Sequence, residues 1–170
     1  NLNEVYRSLI AGSKDYKITI PEGKTAIEVG QQVAKQYQGF DAAYFNQLVQ
    51  DPEFIKSVNV DAPSLEGYLY PSTYYFGPGM KEEELLKLMV DTFHSKLESV
   101  RDKVTTDGMT LHEHVIMASL IEREARMDED RPMIASVIYN RIEKGMPLQI
   151  DATVNYALND WRRLKNSDYL

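Results

Sequence analysis

Two places in this chain dictate where a helix must begin. Thr25 is followed three residues on by Glu28, and Thr110 by Glu113. At that spacing a hydroxyl and a carboxylate reciprocally satisfy the free amides of a helix's first turn. Elsewhere Pro21-Glu22-Gly23, Gln38-Gly39, Asp51-Pro52, Gly77-Pro78-Gly79 and Gly145 interrupt the pattern. Glycine and proline end regular segments, so the chain is restricted to short helices with little strand.

Leu2, Val5, Tyr6, Leu9 and Ile10 recur at helical spacing up to Gly12, and residues 16–20 alternate as a short strand. The helix opened by Thr25 carries Ile27, Val29, Val33 and Ala34. Asp41 caps another that holds Ala43, Phe45, Leu48 and Val49, and Asp51-Pro52 starts one more short turn. Composition shifts at residues 59–63, the expected linker between a domain over 1–60 and a second over 61–170. The first domain resembles a LysM-like module, the small βααβ type that binds amino-sugar polymers. A packing domain with no ligand accounts for the same pattern.

Residues 65–76, LEGYLYPSTYYF, are dense in tyrosine. Gly67 and Pro71 argue against one long helix or a central strand. Tyrosine offers apolar area with a hydrogen-bonding tip, which suits sugar faces and hydroxyls as well as core packing. Glu66 is a candidate carboxylate here. Residues 81–103 read as a long amphipathic helix whose buried stripe is Leu85, Leu88, Met89, Thr92, Phe93 and Val100, with Glu82, Glu83 and Glu84 as solvated charge at its positive end.

The helix that follows Thr110 ends in Ala118-Ser119-Leu120-Ile121-Glu122-Arg123-Glu124-Ala125. At about 100° per residue, Met117, Leu120 and Ile121 surround Glu124, whereas Glu122 lies at the edge of a wetter arc near Arg126. A carboxyl on an apolar face is desolvated and favours its neutral form, as acid-catalysed glycoside cleavage requires. Glu124 is therefore the expected acid and Glu122 a supporting ion-pair or hydrogen-bond partner. Asp128 is the expected cap of the next helix, which carries Ile134, Val137, Ile138, Arg141 and Ile142 and stops at Gly145. Asp151 caps a last helix, and Asn140 and Gln149 are polar side chains near turns, suited to gripping ligand hydroxyls or amides.

Several chemistries are poorly supported. A net charge of -7 with scattered basic residues gives no nucleic-acid footprint. The chain lacks cysteine, and His112 and His114, two apart on a helix, point away from each other, so neither a metal nor another cofactor is expected. Ser119 lacks a nucleophile elbow. No apolar run is long enough to span a bilayer.

Four stretches occur in order: LEGYLYP at 65–71, ASLIERE at 118–124, ASVIYNR at 135–141 and GMPLQIDATV at 145–154. Together they resemble the endolytic murein transglycosylases, the YceG-like family. The resemblance implies an α+β fold, with the LysM-like βαα module followed by a mainly α-helical catalytic domain. It implies a lyase that cuts nascent peptidoglycan between N-acetylmuramic acid and N-acetylglucosamine and leaves 1,6-anhydro ends, with Glu124 as the catalytic glutamate. Glu66, Asn140, Gln149, Asp151 and Thr153 would hold the strand, and Tyr68 and Tyr70 would line the cleft. It further implies work outside the cytoplasmic membrane under an anchor that this chain does not contain, beside penicillin-binding proteins and the elongation machinery.

Two departures stand out. Asp151-Ala152-Thr153 replaces the family's usual Asp-Pro-Thr, and the family's Gly- and Pro-rich C-terminal segment has no counterpart before Leu170, so an incomplete catalytic domain is expected. Two other readings stay open: a hydrolase using Glu124 with Asp151 or Glu66, and a non-catalytic glycan-binding module.

Overall fold

A computed structural model describes residues 16–104, 108–158 and Leu164. The helix expected between Leu2 and Ile10 lies outside them. The chain forms two compact units that divide between Asp107 and Gly108.

In the first unit, β1 (Tyr16–Thr19) pairs antiparallel with β2 (Thr73–Phe76), placing Tyr16 opposite Phe76 and Thr19 opposite Thr73. Between the strands run α1 (Ala26–Gln36), α2 (Ala42–Gln50) and α3 (Pro52–Ser57). Each start follows its local chemistry. The Thr25 hydroxyl accepts from the Glu28 amide at 3.2 Å, and the Glu28 carboxylate accepts from the Thr25 amide at 2.9 Å. Asp41 accepts from the amides of Ala43 and Tyr44, and Asp51 from those of Glu53 and Phe54. These bonds satisfy amides that have no partner within the helix.

Val29, Val33, Phe45, Leu48 and Val49 are buried where α1 and α2 meet. Gly30 allows that approach, because a Cβ there would stand 3.0 Å from Phe45 Cδ1.

The expected division near residue 60 falls inside this unit. Val58 and Val60 are buried, the Leu65 amide donates to the Val49 carbonyl at 2.9 Å, and β2 supplies the partner that β1 needs. Tertiary pairing overrides the composition shift at 59–63.

α4 (Glu82–Glu98) completes the unit, burying Leu85, Leu86, Met89 and Val90. It is shorter than expected, and Val100 is exposed. Glu82 corrects the expectation of solvated charge: it is buried and accepts from the Asp41 amide at 2.6 Å, joining the start of α4 to the start of α2. Tyr44 donates to Glu83 at 2.5 Å, which holds the Glu83 carboxyl below its ordinary range and pushes the Tyr44 phenol up.

The second unit holds α5 (Leu111–Glu124), a 3-10 turn at Asp128–Asp130, α6 (Arg131–Glu143) and α7 (Asp151–Leu158). α5 packs on both α6 and α7. Met117, Ile138, Ile150 and Ala152 form its buried core, flanked by the half-buried Met109, Leu120, Ile121, Ile134 and Leu148. The Thr110–Glu113 capping box is present in both directions. Asp128 does not cap α6: it sits in the 3-10 turn, and Asp130 precedes the helix without a side-chain cap. Val137 and Ile142, part of the helical pattern of this segment, are exposed on either side of the buried Ile138. The fold is thus mainly helical with one small sheet, an α+β arrangement.

Candidate functional site

The last turn of α5 separates its two carboxylates. Arg131 donates to Glu122 Oε2 at 3.1 Å and also pairs with Asp128 at 3.3 Å. Glu122, expected to make a supporting ion pair or hydrogen bond, is thus engaged by Arg131. The chain reverses through the 3-10 turn after α5 and brings residue 131 back beside that helix. Glu124 forms no ion pair among the described residues.

The expected burial of Glu124 is corrected. It is exposed, although it lies seven residues, nearly two full turns, beyond the buried Met117 and so along the same helix face. Helical periodicity fixes the direction a side chain takes but not how far the packing extends along the axis. The core of Met117, Ile138, Ile150 and Ala152 ends before the final residue of α5.

On the other side of α6, Arg141 organises the turn into α7. One guanidinium nitrogen, Nη1, donates to the carbonyls of Pro147 at 3.1 Å and Leu148 at 2.6 Å and to Gln149 Oε1 at 3.2 Å. Gln149 itself has φ of +52°, a left-handed conformation that costs a non-glycine residue about 1–2 kcal/mol. Asp151, expected to cap this last helix, is instead its exposed first residue, and the Thr153 hydroxyl donates to the Ile150 carbonyl at 2.7 Å. Asn140 is exposed near the end of α6. Arg131 and Arg141 were not among the residues expected at the site. A lone arginine one turn before a Gly-x-Pro break is the one local hint, since arginine readily binds the carbonyls freed at a helix end.

The remaining candidates belong to the first unit. Glu66 accepts from the Ala26 amide at 3.3 and 3.1 Å through its two oxygens, so it serves as an added cap on α1. Burial pushes its carboxyl above the ordinary value, with the Ala26 bond pulling the other way. Tyr68 is corrected from cleft lining to core: it is 2% exposed, its ring edge-on to Phe93 at 5.0 Å. Tyr70 is half-buried and its carbonyl accepts from the Tyr74 hydroxyl. Among the described residues no group of His, Asp and Glu is placed to hold a metal.

Fold and site together define a mainly helical α+β protein whose second unit holds an acidic helix end and an arginine-clamped turn. The YceG-like family model matches residues 1–169, and the chain belongs to that family. An endolytic murein transglycosylase of Bacillus subtilis is 34% identical over 92% of this chain and 48% of its own length. A protein of that same name from Streptococcus pneumoniae is 33% identical over 82% of this chain and 29% of its own. A crystal structure of a YceG-like protein from Listeria monocytogenes superposes with a TM-score of 0.83 at 32% identity, covering 99% of this chain and 61% of that one. The chain thus spans about half or less of the length of the curated relatives it matches.

Proposed function

We propose that this chain is part of an endolytic peptidoglycan lytic transglycosylase and that Glu124 is its acid and base. One observation carries the residue choice: Glu122 is committed to Arg131, while Glu124, at the tip of the same helix, has no ion pair among the described residues. The substrate class comes from the transglycosylase relatives at 34% and 33% identity.

In this reading Glu124 gives its proton to the glycosidic oxygen as the bond to C1 of the muramic residue breaks through an oxocarbenium-like state. The resulting carboxylate then takes the proton from the C6 hydroxyl of the same sugar. O6 bonds to C1, which leaves a 1,6-anhydro end and restores the acid. Attack within one sugar needs no activated water and gains from high effective molarity. A strand laid across the end of α5 would provide the cover that the unit's own core does not, and a dry setting favours the neutral acid. Asn140, Gln149, Asp151 and Thr153 would contact that strand.

The β1-helix-helix-helix-β2 order of the first unit supports reading it as a LysM-like glycan-binding module that extends to residue 76 and beyond. Shortening nascent strands outside the cytoplasmic membrane, alongside penicillin-binding proteins and the elongation machinery, is the setting this function implies. Among the described residues no helix is long and apolar enough to cross a membrane.

Mass spectrometry of purified glycan strands after incubation tests the reading. Anhydro-muramic ends that disappear with Glu124→Gln and persist with Glu122→Gln support it. Reducing muramic ends would instead identify a hydrolase. Binding without any cleavage would identify a recruiting module.

A further inference from the structure

The geometry points to Arg141 as a positioning residue that makes Gln149 a hydrogen-bond donor for a ligand carbonyl, the acetamido oxygen of an amino sugar. The inference rests on the glycan reading above and specifies what this part of the site recognises.

A side-chain amide presents an acceptor oxygen and two N–H donors, and which faces outward depends on its neighbours. Here the choice is forced. A guanidinium has only donors, so the atom of Gln149 that faces Arg141 Nη1 at 3.2 Å is the carbonyl oxygen. The N–H groups are what Gln149 has left to offer a ligand, and they match an acceptor.

The same nitrogen bonds the carbonyls of Pro147 and Leu148, so side chain and turn are held by one group. Gln149 keeps its left-handed φ of +52° under that hold. A strained backbone persists where its surroundings over-determine it, and such positions concentrate at ligand sites. Glycine would take this conformation without strain, and Gly145 already does so four residues earlier. A glutamine in its place provides an amide that glycine lacks. Repeated acetamido groups give a murein strand a carbonyl acceptor at every sugar, whereas a de-N-acetylated strand offers an ammonium, which cannot accept.

The test compares soluble murein glycan strands, native and chemically de-N-acetylated, titrated onto the 170-residue chain and onto Arg141→Lys and Gln149→Met. Both substitutions leave the response to the charge of the two strands comparable. Thermal midpoints are recorded for all three proteins. The native chain is expected to prefer acetylated strands. Each variant should lose roughly five- to tenfold in affinity for them, the worth of about one hydrogen bond, with affinity for de-N-acetylated strands within about twofold. Variants that melt earlier yet keep the full preference, or a native chain with no preference, overturn the proposal while leaving cleavage at Glu124 standing. A native chain that neither binds nor cuts either strand overturns the glycan reading and this inference with it.

Discussion

Arg131, the first residue of α6, donates to Glu122 in the last turn of α5 at 3.1 Å, bridging the 3-10 turn between the two helices. The pair is half exposed on the arginine side and about a third exposed on the glutamate side. Its value lies in orientation more than in stability. It fixes Glu122 and leaves Glu124, the other carboxylate of the last turn of α5, exposed. A double-mutant cycle with Glu122→Gln and Arg131→Gln should give a coupling of about 0.2–1 kcal/mol, shrinking toward zero in 1 M salt. A salt-insensitive coupling of several kcal/mol would contradict this.

Glu66 should make the first unit sensitive to pH in the direction opposite to most carboxylates. Its folded-state value is raised above 4.5, so the folded chain binds more protons than the unfolded one over that interval. Stability from this group therefore rises as pH falls from the folded value through 4.5 and is reduced above it. Glu66→Gln keeps an oxygen for the Ala26 amide without the charge. It should match or exceed the native chain near neutral pH, with the gap closing toward pH 4 in denaturant titrations. Glu66→Ala removes the added cap and should cost about 1 kcal/mol.

Gly30 should not tolerate a methyl group. Its Cβ would stand 3.0 Å from Phe45 Cδ1 and 3.4 Å from Asn46 Oδ1, side chains held between two packed helices. Gly30→Ala is expected to cost about 1–3 kcal/mol despite alanine's better helix propensity. Chemical denaturation decides the sign, and a stabilised variant would show that α2 yields.

At Gln149, stability and binding should separate. Gln149→Gly removes the left-handed strain and loses some order in the unfolded chain's favour, for a net gain of up to about 1 kcal/mol. Gln149→Val places a β-branched residue where φ is positive and should cost about 1–2 kcal/mol. Both variants should bind native glycan strands more weakly. Thermal melts read alongside strand titrations distinguish the two effects.

What could be read from the sequence was local. Thr25, Asp41, Asp51 and Thr110 cap their helices through bonds that span only two or three residues, and all were legible. The apolar direction of α5 was also legible, since Met117, Leu120 and Ile121 face the core. The exposure of Glu124 was not, because it depends on where neighbouring helices end. Glu82 has no local reason to be buried; its partner is the Asp41 amide, 41 residues away. Tyr68 was misplaced for a related reason, since a ring suited to a sugar face is equally suited to Phe93. Arg141 escaped notice because its three acceptors sit in a turn whose path periodicity does not determine.

The pairing of β1 with β2 brings Thr19 and Thr73 hydroxyls to 2.8 Å across 54 residues of sequence. A sheet closed over so long an interval forms late, after the helices between its strands have gathered, because loop closure must precede the contacts that reward it. During synthesis β1 therefore waits for the ribosome to deliver residues 73–76. A shortened chain ending near residue 60 would never receive them, and its first strand would present an open row of backbone donors and acceptors to its neighbours, an invitation to aggregate.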